Sequence, residues 1–177
     1  YPHALRLVDP VMGDGGEIYA TYTPELCRAM GTLVDGADAL MPNLTEASIL
    51  TGRDYPGQDI DDAQVDEILG ALLAAGAKNV VLKGIVRNYV ASASTGVAGK
   101  QELAHAKLPF MTHGTGDAFA SALCGAVMAG RPLAEAANIA GEFVRHAMES
   151  TQYQPNHEER GVSFELNLDE LTALTRR

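Results

Sequence analysis

The sequence predicts an α/β fold built on a mostly parallel sheet flanked by helices, and three observations carry that prediction. Apolar runs that read as strands alternate with amphipathic segments that read as helices. One of these runs, NVVLK at 79–83, is continuously apolar, as suits a strand covered on both faces. Two further helical segments, about 115–129 and about 132–149, then close the core.

The elements follow in order. Residues 5–9 (LRLVD) form a strand that ends at Asp9 and runs into the turn-rich PVMGDGG. Pro24 opens a helix to about Gly36, with Leu26, Met30, Leu33 and Val34 on one face; a proline in the first turn costs no hydrogen bond there. A short strand, Asp38 to Met41, precedes a helix capped by Asn43 and stopped by Gly52. After a polar loop, Asp61 or Asp62 caps a helix in which Val65, Ile68, Leu69, Leu72 and Leu73 recur at helical spacing, and Gly76 ends it. Beyond 79–83, weaker strands near Tyr89–Ser92, Thr95–Ala98 and Glu102–Leu108 alternate as an antiparallel edge does. The helix at 115–129 pairs Ala118, Phe119, Ala122, Leu123, Ala126 and Val127 every four residues. Thr151 to Gly161 is polar and reads as loop, and Leu168 to Leu174 as a last short helix. There is no internal repeat, and residues 1–177 are read as a single α/β domain. Because the chain starts with Tyr and the first strand follows almost at once, a chain trimmed at its amino end is expected.

At 177 residues the chain can bury roughly two-thirds of its unfolded surface. Its 46% apolar and 20% charged residues are those of a soluble globular protein. No run approaches the roughly 20 apolar residues of a membrane span, and the start lacks a signal-peptide pattern, so the cytoplasm is the expected compartment. A net charge of −10 with only four lysines argues against a nucleic-acid partner. A protein so poor in cations must bind phosphates through backbone amides and a metal ion. Cys27 and Cys124, in apolar helical surroundings and without zinc-site spacing, are expected to be buried free thiols.

The strongest chemical signal is HGTGDAFASALCGAV at 113–127, a glycine-flanked turn that leads into an amphipathic helix. Gly114 and Gly116 let backbone amides approach an anion, and the helix start adds about half a positive charge. Asp117, in the same turn, is placed to accept a proton from an alcohol that attacks a phosphoryl group held there. On spacing alone, a favourable first-turn acid with no chemistry remains an equal reading. Neither G-x-x-x-x-G-K-[ST] nor a G-x-G-x-x-G opening the first helix is present, which disfavours P-loop and dinucleotide-binding proteins. His113 reads as a loop or packing histidine, and His3, His105, His146 and His157 show no paired spacing.

GTGDAF at 114–119, DPVMGDGG at 9–16, PNLTEASILTG at 42–52 and VVLKG at 80–84 together resemble the vitamin kinases of the ribokinase superfamily. The resemblance is closest to the pyridoxal and pyridoxamine kinases, and EERGVSFEL at 158–166 is similar to the tail of the bacterial pyridoxamine kinases. It implies a ribokinase-like three-layer fold of which this chain is the carboxy-terminal, nucleotide-binding part. It implies that Asp117 is the catalytic base and touches the substrate hydroxymethyl group, with Gly114, Thr115 and Gly116 as the anion hole. Asp9 would contact nucleotide, and Asp14 would lie near the metal and phosphates. Asn43 and Glu46 would organise Mg2+ and its waters, Lys83 would lie near the nucleotide phosphates, and Thr51 would assist. Asp9, Asn43 and Lys83 do fall at or just after the carboxyl ends of predicted strands, where open α/β sheets bind ligands. Plainer readings stand beside these roles: a turn residue for Asp14, a helix cap for Asn43, a dipole-favoured acid for Glu46 and a solvated charge for Lys83. The implied activity is ATP-dependent phosphorylation of the 5′-hydroxymethyl group of a vitamin B6 vitamer (pyridoxal, pyridoxamine or pyridoxine), in a homodimer. The neighbouring hydroxymethylpyrimidine kinases and a non-catalytic nucleotide-binding fragment are the alternatives.

Overall fold

The computed structural model describes residues 3–84, 87–105, 108, 110 and 112–176. The chain divides into two compact units, Tyr1–Glu102 and Leu103–Arg177. Among the described residues, no helix is long and apolar enough to cross a membrane.

The first unit is built on a five-stranded mixed sheet of β1 (Leu7–Val8), β4 (Ala39–Leu40), β5 (Asn79–Leu82), β6 (Arg87–Ser92) and β7 (Gly96–Ala104), in that spatial order. β1 pairs parallel with β4 and β4 with β5, whereas β5 and β6 are antiparallel. Helices α1 (Pro24–Gly31), α2 (Leu44–Thr51) and α3 (Asp62–Ala74) fill the crossovers. Leu40, Val80, Leu82, Tyr89 and Ala91 share one core with Leu44 and Ala47 of α2 and with Val65, Ile68, Leu69 and Leu72 of α3. That core is the helical and strand periodicity of the sequence made physical, and Leu73 packs at its margin. Asp61 caps α3 in a reciprocal pair with Gln64, whose amide reaches Asp61 Oδ1 at 2.8 Å. A small hairpin, β2 (Gly13–Asp14) with β3 (Glu17–Ile18), stands where only a turn-rich loop was expected. Its two-residue connection is Gly15–Gly16, both at positive φ, as a tight hairpin turn demands.

Several expectations are corrected. α1 stops at Gly31 and not near Gly36, because the amides of Thr32, Leu33 and Val34 turn to carbonyls only three residues back. Its buried residue is Cys27, while Leu26 and Leu33 are each 41% exposed. The two weak strands expected after Thr95 are one nine-residue strand, β7. The end of the second, at residues 106 and 107, lies outside the described residues. Cys124 is exposed rather than buried, whereas Cys27 is buried as expected.

The second unit holds α4 (Thr115–Met128), α5 (Leu133–Thr151), α6 (His157–Arg160), a 3-10 turn (Phe164–Asn167) and α7 (Leu168–Arg176). α6 falls inside the tail that was expected to be loop. α4 and α5 bury faces rich in alanine, among them Ala118, Ala122, Ala126, Ala136, Ala137, Ala140 and Ala147, around Phe119, Leu123 and Phe143. Such small side chains permit close helix packing. Thr151 is fully buried; its hydroxyl donates to the Ala147 carbonyl at 2.6 Å and accepts the Ser163 amide at 2.8 Å, which ties the tail back to α5.

Candidate active site

The residues singled out in the sequence fall in both units. In the first, the parallel strands deliver Asp9, Asn43 and Lys83 to one edge of the sheet, because β1, β4 and β5 run in the same direction. The register continues beyond the strands: Asn43 and Lys83 form an isolated parallel bridge, with the Lys83 amide on the Pro42 carbonyl at 2.9 Å. Lys83 Nζ donates to Asp9 Oδ1 at 2.6 Å, and the two side chains are only 11% and 15% exposed. This ion pair joins residues 74 positions apart.

Glu46 is 3% exposed in the first turn of α2. Its Oε2 accepts the Asn43 amide at 2.7 Å and its Oε1 the Met12 amide at 3.2 Å. Burial raises its pKa to about 7, against the two amides and the Lys83 charge, which lower it; the Asp9 charge adds to the rise. Asn43 completes a capping box, accepting the Glu46 amide on Oδ1 at 2.9 Å, while its Nδ2 donates to the Gly13 carbonyl at 2.8 Å. Asn43 is therefore a cap, and also a tie to the β2–β3 hairpin. Asp14 is exposed beside the hairpin turn, with Oδ1 accepting the Gly15 amide at 2.8 Å. Thr51 donates within its own helix, to the Ala47 carbonyl at 2.7 Å. Asp9, Lys83, Asn43 and Glu46 are thus brought together with the Met12–Gly16 segment, and Thr51 lies two turns along α2.

These oxygen donors suit a hard divalent cation. Asp14 offers an exposed carboxylate, whereas Glu46, with both oxygens already accepting amides, suits a cation's waters better than the cation itself. No group of three or more His, Cys, Asp or Glu among the described residues forms a cage. Mg2+ does not require one, since it keeps most of its waters and takes one or two carboxylates with phosphate oxygens.

In the second unit, Gly114 occupies the N-cap position of α4 with φ 82° and ψ 0°, a left-handed conformation that an L side chain resists. Among the described residues, no side chain caps this helix start. The first-turn amides of Thr115, Gly116 and Asp117 have no intrahelical acceptor, and the first such bond is Ala118 to Gly114, at 3.1 Å. An uncapped helix start carrying three outward amides is an anion-binding geometry. The exposed Asp117 belongs to the same turn and lines a cleft of about 410 Å³ with Ser121, Phe143, Arg160, Val162 and Leu171.

The turn is braced by residues that sequence reasoning missed. The Val162 amide donates to the His113 carbonyl at 3.0 Å, and His113 Nε2 lies 3.1 Å from the Glu159 carbonyl. His113 is therefore a loop histidine that steadies the turn. Gly161, at φ 78° and ψ −165°, passes so close to His113 that a Cβ there would come 2.6 Å from the ring. The segment EERG was visible as a family-like tail, and its glycine was the one available signal. Thr45 and Tyr55, which hold Gly16 in the first unit, gave no chemical signal in the sequence.

Comparison with known proteins extends this picture. The chain is 29% identical over 156 residues to the hydroxymethylpyrimidine/phosphomethylpyrimidine kinase of Haemophilus influenzae, covering 83% of this chain and 56% of that protein. It is 31% identical over 150 residues to the pyridoxine/pyridoxal/pyridoxamine kinase of Bordetella bronchiseptica, covering 82% of this chain and 52% of that one. A Bacteroides thetaiotaomicron protein crystallised with pyridoxal superposes with a TM-score of 0.85 at 28% identity, over 97% of this chain and 62% of its own. The chain thus spans about half the length of the curated relatives it matches. The mixed sheet flanked by helices is the fold these kinases share, as the sequence predicted. Since the sequence profile of the phosphomethylpyrimidine kinase family matches residues 2–163, nearly the whole of the chain, the chain belongs to that family.

Proposed function

We propose that the full-length protein transfers the γ-phosphoryl group of ATP to the 5′-hydroxymethyl group of a vitamin B6 vitamer, and that this chain is its carboxy-terminal, nucleotide-binding and catalytic part. The observation that carries the reading is the uncapped start of α4, where three amides and the Asp117 carboxylate share one turn. Asp117 takes the hydroxyl proton as the alcohol oxygen bonds to the γ-phosphorus and the bond to the β-phosphate oxygen breaks, releasing ADP. The amides of Thr115, Gly116 and Asp117 stabilise the charge that develops on the transferring group. Asp9 and Thr51 serve the nucleotide side, and Lys83, held by Asp9, neutralises phosphate charge. Asp14, and Glu46 through water, would hold Mg2+, which would supply positive charge to offset that of the phosphates. A homodimer is the proposed assembly.

A second reading, phosphorylation of a hydroxymethylpyrimidine, is favoured by the matching family profile and by the Haemophilus relative. Both readings are tested by incubating the full-length protein with Mg·ATP and, separately, pyridoxal, pyridoxamine, pyridoxine and hydroxymethylpyrimidine. Phosphorylation of a B6 vitamer is expected, and turnover of the pyrimidine alone would select the second reading. Asp117→Asn is expected to lower kcat by about 10²- to 10⁴-fold while nucleotide binding survives. Full activity in that variant would remove Asp117 as the base.

A further inference from the structure

The β2–β3 hairpin is held to α2 from three directions. Glu46 accepts the Met12 amide at 3.2 Å, Asn43 donates to the Gly13 carbonyl at 2.8 Å, and Thr45 Oγ1 accepts the Gly16 amide at 2.9 Å. The third contact differs in kind from the others. Asn43 and Glu46 are accounted for by their capping box, whereas Thr45, 3% exposed in the same turn, has no part in that box. A two-residue hairpin turn leaves its second amide without a ladder partner, and Thr45 supplies the acceptor. The turn's first amide, Gly15, is taken by Asp14 itself at 2.8 Å. On its other side Gly16 lies against Tyr55, where a Cβ would come 2.7 Å from Cδ1. The turn is thereby pinned between a hydroxyl and a ring, and the Asp14 carboxylate is fixed by the turn.

We propose that Thr45 is a positioning residue: its hydroxyl, acting through the Gly16 amide and with Tyr55 as the backstop, sets the hairpin that presents Asp14. The consequence for Mg2+ rests on the kinase reading above; the clamp itself does not. Its test therefore has two readouts in the full-length protein, comparing Thr45→Ala with Thr45→Ser, two variants of nearly equal bulk that differ in one oxygen.

The first readout is hydrogen exchange of the Gly16 amide, with the amides of β5 as the control for an intact fold. Thr45→Ala is expected to speed Gly16 exchange about 3- to 10-fold, the effect of one lost hydrogen bond, and Thr45→Ser to match the wild type. The second is the Mg2+ concentration for half-maximal phosphoryl transfer. This is expected to rise several-fold in Thr45→Ala and to return in Thr45→Ser, with kcat at saturating Mg2+ little changed. Equal Gly16 exchange in the two variants overturns the clamp and leaves the kinase reading standing. Faster exchange with an unmoved Mg2+ requirement overturns the positioning role. Absence of phosphoryl transfer in the wild-type protein overturns the kinase reading, and needs no variant to be seen.

Discussion

Glu46 receives a backbone amide on each carboxylate oxygen, yet burial outweighs both hydrogen bonds and lifts its pKa from an ordinary 4.5 to about 7. Between those two values the folded chain holds a proton that the unfolded chain has lost. Stability of the ligand-free protein must therefore fall as pH rises through this window and level off above it. The contribution at stake is on the order of 3 kcal/mol. Urea unfolding at pH 5 and pH 8 should show the loss in the wild type and a flatter profile in Glu46→Gln; equal pH slopes would refute the assignment. This residue also marks how far the sequence could be read. N-x-x-E was legible both as a cap and as a family motif, and the capping box is there. The further partners of the two box residues, the Met12 amide for Glu46 and the Gly13 carbonyl for Asn43, lie 34 and 30 residues away and depend on the path of the chain.

At the scale of elements, α4 was legible because its periodicity and its Gly-Thr-Gly-Asp start are local properties. The brace behind it was not, since it comes from a polar segment near the end of the chain that folds as α6 and an extended turn. Gly161 adopts a conformation that glycine alone populates readily, and its neighbour Val162 ties to His113. Gly161→Ala is accordingly expected to destabilise the protein by about 2 kcal/mol, and to lower kcat by loosening the turn that carries Thr115 to Asp117. Thermal unfolding and steady-state kinetics measure the two effects. A stable variant with wild-type turnover would show that the brace is dispensable. α1 teaches the complementary lesson: its apolar spacing ran on to Val34, but the backbone left the helix at Gly31, and propensity alone did not mark that exit.

On the scale of the whole molecule, a chain of net charge −10 has little long-range attraction for a nucleotide, so the proposed function draws its nucleotide affinity from local amides, Lys83 and a cation. Mg·ATP at about 100 times its Kd is expected to stabilise the full-length protein by about 2.7 kcal/mol, seen as a rise in Tm. Chelation of the metal should remove most of that rise; a Tm gain indifferent to chelator would exclude the cation from binding. What the sequence determined by itself is the local part: the order of the principal strands and helices, the caps of α2 and α3 with their glycine stops at Gly52 and Gly76, and the turn at Gly114 with its acid. These depend on neighbours within a few positions, where periodicity and backbone preference act. Tertiary structure alone decided which distant groups meet. It paired Lys83 with Asp9, put the Gly16 amide on Thr45 and laid Gly161 under His113. Hydrogen bonds and ion pairs reach only about 3 Å, so their partners are chosen by how the strands align and not by spacing along the chain.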